Sequence, residues 1–183
     1  MNVTTTAIPG VLVLEPRIFE DSRGHFFESF NHAAFEQVVG EPVSFVQDNQ
    51  SFSRAGVLRG LHYQVDRPQG KLVRAVQGVI WDVAVDIRPD SAAFGTWVAC
   101  EVSAENRRQL WVPPGLAHGF VVLSESAEVL YKTTDYYSPA GERCIVWNDP
   151  DLAIEWPLAG EPVVSAKDRD GQRFAVAVPR VGS

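Results

Sequence analysis

Apolar and polar residues alternate along most of this chain, which is typical of β-strands with two different faces. In VIWDVAVDI, Trp81 and Val83 fall on one face and Asp82 on the other, as in a half-buried strand. Glycine, proline, aspartate and serine interrupt such runs at short intervals, so the pattern predicts an antiparallel sandwich or barrel of many short strands. The other strand-like runs are VLVLEP, FVQDNQSFS, TWVACEVS, RQLWV, GFVVLS and EVLYKTTDYY.

Helices are few in this interpretation. The segment NHAAFEQVVG begins with Asn31 as a capping residue and ends at Gly40, which predicts one short helix. AENRRQ is at most a turn, and the stretch from Ser165 indicates a loop with a turn of helix. The tail 175–183 carries no motif and is expected to be poorly ordered. No linker divides the chain, so residues 1–183 are expected to form a single domain.

Charge and cysteine content limit the partners and the cellular compartment that can be expected. The 183 residues carry a net charge of -7, with a pI near 5.1, which argues against nucleic acid or an anionic membrane surface as partner. The N-terminus lacks the pattern of a signal peptide and no apolar run is long enough to span a bilayer, so a cytoplasmic protein is expected. Cys100 and Cys144 are far apart and lack a C-x-x-C partner, which favours two buried free thiols.

Cations stand among apolar residues in GVLRGLHYQVDRPQGKLVRAVQG, two predicted strands that contain Arg59, His62 and Lys71. Such a segment is either a solvated face or the wall of a site for an anion. His62 lies in apolar strand context, and so does His118 in PPGLAHGF; taken alone, each is best explained as a hydrogen-bonded core histidine. Together with other groups they are candidates for acid–base chemistry.

The required partners for such chemistry are present elsewhere in the chain. Asp168 could orient an imidazole base, Tyr131 could act as an acid, and a lysine with a second histidine could stabilise an oxyanion. Sequence alone does not bring these groups together.

Several motifs follow one another along the chain: FEDSRGHFFESF, FVQDNQSFS, GVLRGLHYQ, GKLVRAVQG, WDVAVDIRPDSAAFG, WVPPGLAHGFVVLS, YKTTDYYSP, ERCIVWNDPDLAIEWP and VSAKDRDG. In this order they resemble the dTDP-4-dehydrorhamnose 3,5-epimerase family, over about residues 8–174. The resemblance implies an all-β fold, a cupin-type jelly-roll β-barrel with a few short helices. It also implies a homodimer, no cofactor, and a dTDP-sugar substrate in the barrel mouth. Such an enzyme inverts carbons 3 and 5 of dTDP-4-dehydro-6-deoxy-glucose through an enolate, in dTDP-L-rhamnose biosynthesis.

The resemblance also assigns roles to residues. His62 is the implied base, Asp168 fixes its tautomer, and Tyr131 is the implied acid on the opposite face of the sugar. Lys71 is placed near the oxyanion, and Asp82 is expected to orient Lys71. The implied substrate-binding residues are Arg23, Glu28, Gln47, Asn49, Arg59, His118, Glu142, Lys167, Phe19 and Phe26. Part of the segment from Phe19 to Phe30 is expected either to reach the partner subunit's pocket or to be a plain surface strand.

Three alternatives remain open at this stage. PPGLAHG matches the P-x-G-x-x-H element of metal-binding cupins, but the earlier H-x-H is here His62-Tyr63-Gln64, and nearby Arg59 and Lys71 would repel a divalent cation. We therefore expect no metal. A relative that inverts only carbon 3 or only carbon 5 is the closer competitor, and a non-catalytic sugar-nucleotide-binding cupin is the third.

Overall fold

Two antiparallel β-sheets pack face to face in the computed structural model, which describes residues 1–178. The six-stranded sheet has the order β1-β2-β10-β7-β12-β5 and the five-stranded sheet the order β13-β6-β11-β8-β9, while β3 and β4 form a separate hairpin. The predicted all-β jelly roll with a few short helices is confirmed. The strands are β1 Asn2–Thr5, β2 Leu12–Glu15, β3 Phe19–Asp21, β4 Gly24–Phe26, β5 Gln47–Arg54, β6 Leu58–Gln64, β7 Lys71–Gln77, β8 Val79–Asp86, β9 Trp97–Ser103, β10 Gln109–Val112, β11 Leu116–Val122, β12 Ser126–Thr133 and β13 Glu142–Cys144; the helices are α1 His32–Val39, α2 Ala166–Arg169 and α3 Phe174–Ala177.

The predicted helix is α1, and its ends are those the sequence indicates. The Asn31 side chain accepts a hydrogen bond from the Ala34 backbone N–H at 3.1 Å, and Gly40 ends the helix with φ 85°. Phe35 is the buried residue of α1, and its ring packs edge-on against Trp111 at 5.1 Å on the outer side of the six-stranded sheet. The helix therefore covers one outer face of the sandwich and leaves the interior to the strands.

The other two helices are single turns near the end of the described chain. Ser165 caps α2, as its hydroxyl accepts from the Asp168 backbone N–H at 3.1 Å. Residues 175–177 of the tail belong to α3, whereas residues 179–183 lie outside the described residues. Over residues 1–178, the structure contains no helix with the length and apolar character that a membrane crossing requires.

Strand β8 is buried on both faces, so the predicted half-buried strand is wrong in this respect. Asp82 and Ala84 are fully buried between the two sheets, and Val83 is fully buried on the other side. That other side packs against residues from the C-terminal quarter of the chain, including Ile145 and Phe174. The predicted alternation of the two faces is correct, but the polar face of β8 lines the interior between the two sheets instead of meeting water.

A close approach of two backbones sets the geometry of the five-stranded sheet. Gly60 in β6 has φ 124°, and a Cβ at this position would lie 2.6 Å from the Cα of Gly119 in β11. Only glycine permits this contact. As a result His62 and His118 are direct cross-strand partners, and both side chains face the space between the sheets.

Candidate active site

A cavity opens between the two sheets and has two adjoining lobes of ≈ 280 Å³ and ≈ 250 Å³. The five residues that line both lobes are His62, Lys71, Tyr131, Tyr137 and Glu142. Gln47, Tyr63, Asn49, Gln64 and Gln69 complete the first lobe, and Ser51, Arg59, His118 and Phe120 complete the second. Most of the predicted site residues therefore meet at one place.

His62 forms a charge-assisted pair with Asp168. Its Nε2 lies 2.5 Å from Asp168 Oδ1, and the carboxylate is almost fully buried whereas the imidazole is partly exposed to the cavity. Burial alone would raise the pKa of Asp168, but the hydrogen bonds from His62 and Ser165 and the charge of Lys167 bring it below the usual value. An ionised Asp168 assigns the Nε2 hydrogen to this bond, which leaves Nδ1 as the free lone pair of the ring.

Lys71 is a buried cation at the start of β7, on the sheet opposite His62. Burial lowers the pKa of its ammonium group to about 8, against the opposing effect of the negative charges of Asp82 and Glu142. Its Nζ makes a long hydrogen bond of 3.4 Å to the His62 backbone carbonyl. Most of its donor capacity is therefore available to an oxygen atom in the cavity.

His118 has its own buried carboxylate. Its Nε2 lies 2.7 Å from Oδ1 of Asp82, which is fully buried in β8. Asp82 does not hydrogen-bond to Lys71, contrary to the expectation that it orients this lysine. It hydrogen-bonds to His118 and affects Lys71 only through its charge. The site thus contains two imidazole–carboxylate pairs on neighbouring strands.

Tyr131 faces these pairs from the other sheet. It lies in β12, where it pairs with Val73 of β7 and with Asn49 of β5. Burial raises the pKa of its phenol, so the hydroxyl stays protonated near neutral pH and is suited to donate a proton. A flat ligand between the sheets would have His62 on one face and Tyr131 on the other.

Polar side chains from β5 and β6 extend the site. Gln47 Nε2 donates to Asn49 Oδ1 at 2.9 Å, so the two predicted residues form one polar patch. Arg59 is held by Ser53, whose hydroxyl accepts from Arg59 Nε at 2.9 Å. Ser51 was missed by the sequence analysis; its buried Oγ has no protein hydrogen-bond partner among the described residues and lines the second lobe.

Glu142 joins two further groups at the cavity rim. Its carboxylate forms an ion pair with Lys167 and accepts a hydrogen bond from the Tyr137 hydroxyl at 2.6 Å. Burial opposes ionisation of Glu142, but these two hydrogen bonds bring its pKa below the usual value. Tyr137 is not predicted from the sequence, although it follows Tyr131 closely in YKTTDYY. The residue is 51% exposed and lines both lobes.

Four predicted binding residues lie away from this cavity. Phe19, Arg23 and Phe26 belong to the exposed hairpin β3–β4, where Arg23 pairs with Asp21 at 2.6 Å. Glu28 follows the hairpin and accepts a hydrogen bond from the Asn31 side chain. The structure of one chain therefore does not bring these residues to His62.

Both cysteines are free, as expected, and both residues are partly buried. Cys144 pairs with His62 across β13 and β6, which brings it to the site, where its Sγ lies 3.8 Å from Asp168 Oδ1. Burial, together with the negative charge of Asp168, raises the pKa of this thiol to about 12. Cys144 is therefore a neutral thiol next to the His62–Asp168 pair.

Comparison with known proteins decides the family. The model of the dTDP-4-dehydrorhamnose 3,5-epimerase family matches residues 5–175. The chain is 62% identical to the dTDP-4-dehydrorhamnose 3,5-epimerase of Pseudomonas aeruginosa, over 97% of this chain and 98% of that protein. The chain belongs to the dTDP-4-dehydrorhamnose 3,5-epimerase family. The family consists of isomerase-class enzymes, and the predicted enzyme class is confirmed.

Solved structures of the family share the fold throughout. The 3,5-epimerase of Legionella pneumophila in complex with dTDP-4-keto-L-rhamnose has a TM-score of 0.93 and 47% identity, covering 100% of this chain and 99% of that chain. A 3'-monoepimerase of Streptomyces bikiniensis in complex with dTDP-quinovose has a TM-score of 0.88 and 35% identity, covering 94% of this chain and 87% of that chain. The identity to the 3,5-epimerases is the higher one, which favours inversion at both carbons.

Proposed function

We propose that this chain inverts carbons 3 and 5 of dTDP-4-dehydro-6-deoxy-glucose, with His62 as base and Tyr131 as acid. The observation that carries this proposal is the position of the two groups. His62, which pairs with Asp168 of α2, projects from the five-stranded sheet, and Tyr131 projects from the six-stranded sheet across a shared cavity. An epimerase needs a base and an acid on opposite faces of one carbon, and this arrangement supplies them.

The chemistry follows from the acidity of carbons next to a ketone. His62 Nδ1 takes the proton from carbon 3 or carbon 5, and the electron pair moves onto the ketone oxygen to give an enolate. Lys71 and His118 flank the cavity and stabilise that oxygen as its charge develops. Tyr131 then returns a proton to the same carbon from the opposite face. The imidazolium loses its proton to solvent, and the phenolate regains one from solvent.

Nucleotide binding is assigned to the polar groups around this centre. Gln47, Asn49 and Glu142 are proposed to contact the nucleotide and sugar, and Arg59 and Lys167 the diphosphate, because charge-assisted hydrogen bonds to phosphate are strong. Tyr137 offers an exposed aromatic ring at the rim, on which a base can stack.

Labelling from solvent tests the proposal. The protein is incubated with dTDP-4-dehydro-6-deoxy-glucose in deuterated water, and deuterium at carbons 3 and 5 is read by NMR. We expect label at both carbons with inversion at both. Label at one carbon only would indicate a mono-epimerase, and absence of label would indicate a sugar-nucleotide-binding protein.

The rate should depend on the protonation of Lys71. Its pKa is lowered to about 8, so the cation that stabilises the enolate is lost as the pH rises through that value. We expect kcat/KM to fall above pH 8 for this reason. Lys71→Arg keeps its charge at all accessible pH values. Its kcat/KM should therefore be lower overall, but it should begin to fall only at a higher pH. A pH profile of both proteins checks this, and an unchanged basic limb in Lys71→Arg would assign the limb to another group.

We further propose that the protein is a homodimer of one 183-residue domain per subunit, in which hairpin β3–β4 completes the partner's site. Phe19 and Phe26 are 50% and 68% exposed on this hairpin, beside Arg23. Apolar rings next to a cation suit a nucleotide base and its phosphates, yet the hairpin does not reach the cavity of its own chain. In a homodimer, the hairpin of one subunit can reach the cavity of the other subunit.

Arg23→Ala tests the role of the hairpin. Losing a charge-assisted contact to phosphate costs about 1.5 to 3 kcal/mol, so dTDP should bind roughly tenfold or more weakly. The turnover number at saturation should change little. Calorimetric titration with dTDP measures this, with Arg54→Ala as a matched control on the exposed end of β5.

Subunit mixing then separates a contribution to the partner's site from one within the same chain. Arg23→Ala and His62→Asn chains are unfolded and refolded together, and kcat/KM is measured at low substrate concentration. Mixed dimers contain one site with both residues intact if Arg23 serves the partner, so activity should exceed that of either variant. Activity no higher than that of Arg23→Ala alone would place Arg23 in its own subunit's site or outside both.

A further inference from the structure

Three side chains of types that coordinate zinc meet beside the proposed base, His62. One ligand atom each from His62, Cys144 and Asp168 lies within 4.8 Å of the other two. Among the described residues this is the only group of three or more such side chains that could hold an ion. It is not the metal centre that the P-x-G-x-x-H element suggests, because His118 lies on the opposite flank of β6, bonded to Asp82.

We propose that His62, Cys144 and Asp168 form a binding site for a thiophilic divalent cation, Zn²⁺, which inhibits the enzyme by occupying its base. The site is regulatory and takes no part in the reaction. Its metal affinity stands on geometry alone, whereas the inhibition rests on the proposed function of His62.

The separations of the three ligand atoms approach those of a tetrahedral zinc site. Tetrahedral zinc with its usual bond lengths separates sulfur from oxygen by about 3.6 Å and nitrogen from oxygen by about 3.4 Å. Cys144 Sγ and Asp168 Oδ1 are already 3.8 Å apart. His62 Nε2 and Asp168 Oδ1 are 2.5 Å apart, joined by a shared proton. Zinc would replace that proton and open this distance by ~1 Å, while Cys144 Sγ and the His62 nitrogen, which lie within 4.8 Å of each other, would have to close to about 3.6 Å.

The surroundings provide charge balance and an open coordination position. Neutral imidazole, thiolate and carboxylate together carry the two negative charges that Zn²⁺ neutralises. Two cations oppose the metal charge: Lys167, which forms an ion pair with Glu142, and Lys71, whose Nζ lies 3.4 Å from the His62 backbone carbonyl. The partly exposed imidazole leaves a fourth position towards the cavity for water.

Zinc binding would disable the base through its tautomer. When the metal occupies Nε2, the imidazole hydrogen must reside on Nδ1, which is the atom proposed to accept the proton from carbon. The hydrogen of Nε2 transfers to Nδ1 through solvent, and the thiol proton of Cys144 is released to solvent. The ring then has no lone pair left for the substrate.

Cobalt spectroscopy tests the site without any turnover. The chelator-treated protein is titrated with Co²⁺, and thiolate-to-cobalt charge transfer is read in the near-ultraviolet. We expect the band in the wild type and in Cys100→Ala, where the other free thiol is removed, and its absence in Cys144→Ala and Cys144→Ser. No band in the wild type, or a band that survives in Cys144→Ala, would overturn the proposal.

Inhibition is measured separately. Zn²⁺ should inhibit the wild type and Cys100→Ala alike, while Cys144→Ala should need at least about tenfold more Zn²⁺, each relative to its own metal-free rate. Equal sensitivity of wild type and Cys144→Ala would refute the inhibitory role. Turnover of the chelator-treated wild type tests the epimerase proposal itself, so the two proposals fail on different measurements.

Discussion

Replacing His62 by asparagine is expected to abolish turnover while dTDP binding is retained. The imidazole is the base, and a general base typically contributes about 10² to 10⁴ in rate. Asparagine preserves a donor to Asp168 but cannot take a proton from carbon. Steady-state rates with dTDP-4-dehydro-6-deoxy-glucose and calorimetric titration with dTDP measure the two effects. Solvent deuterium should also stop entering carbons 3 and 5.

The matched control is His32→Asn, on the exposed surface of helix α1, where His32 pairs with Glu36 and lies edge-on to the ring of Phe30. This variant should keep wild-type rate and binding. Near wild-type epimerisation by His62→Asn would show that another group is the base, and the His62–Asp168 pair would then have to be explained as structural.

Tyr131→Phe is expected to separate proton removal from inversion. Without the phenol, His62 can still take a proton from carbon and return one to the same face. Inversion should slow by about 10² to 10⁴, while deuterium from solvent still enters the substrate with retained configuration. NMR of the recovered sugar nucleotide distinguishes label with retention from label with inversion.

Tyr136→Phe is the control for this change. Tyr136 is 56% exposed and lies outside both lobes of the cavity, although it neighbours Tyr137. It should epimerise as the wild type does. If Tyr131→Phe inverted its substrate at an unchanged rate, Tyr137 would become the candidate acid, since it is the other tyrosine that lines both lobes.

Much of the fold follows from periodicity and local punctuation. The alternating runs correspond to strands, and the Asn31 cap and Gly40 end define α1 because both signals act within one turn of helix. The sequence pattern of β8 predicts a half-buried strand with an exposed polar face, because apolar and polar residues alternate in the same way whether the polar face meets water or a buried site. Only the packing of the six-stranded sheet against this face distinguishes the two.

Some residues of the site can be recognised from their local sequence, whereas others depend on contacts between distant parts of the chain. His62 and Lys71 stood out as polar groups in apolar strands, and the family resemblance supplied Asp168 and Tyr131. The sequence does not place Cys144 at the site, because its position beside His62 depends on the pairing of β13 with β6, and no short motif encodes that register. The hairpin residues are the remaining case, since their proposed contacts cross to a second chain.

The carboxylate that orients the base comes from the far end of the polypeptide. Asp168 follows His62 by 106 residues, and the bridge between Ile145 and Gln172 anchors its segment to the barrel. A growing chain on the ribosome therefore carries the imidazole long before its partner has been synthesised. Catalytic competence should be among the last properties acquired during biogenesis, which makes activity a sensitive reporter that the whole chain has matured.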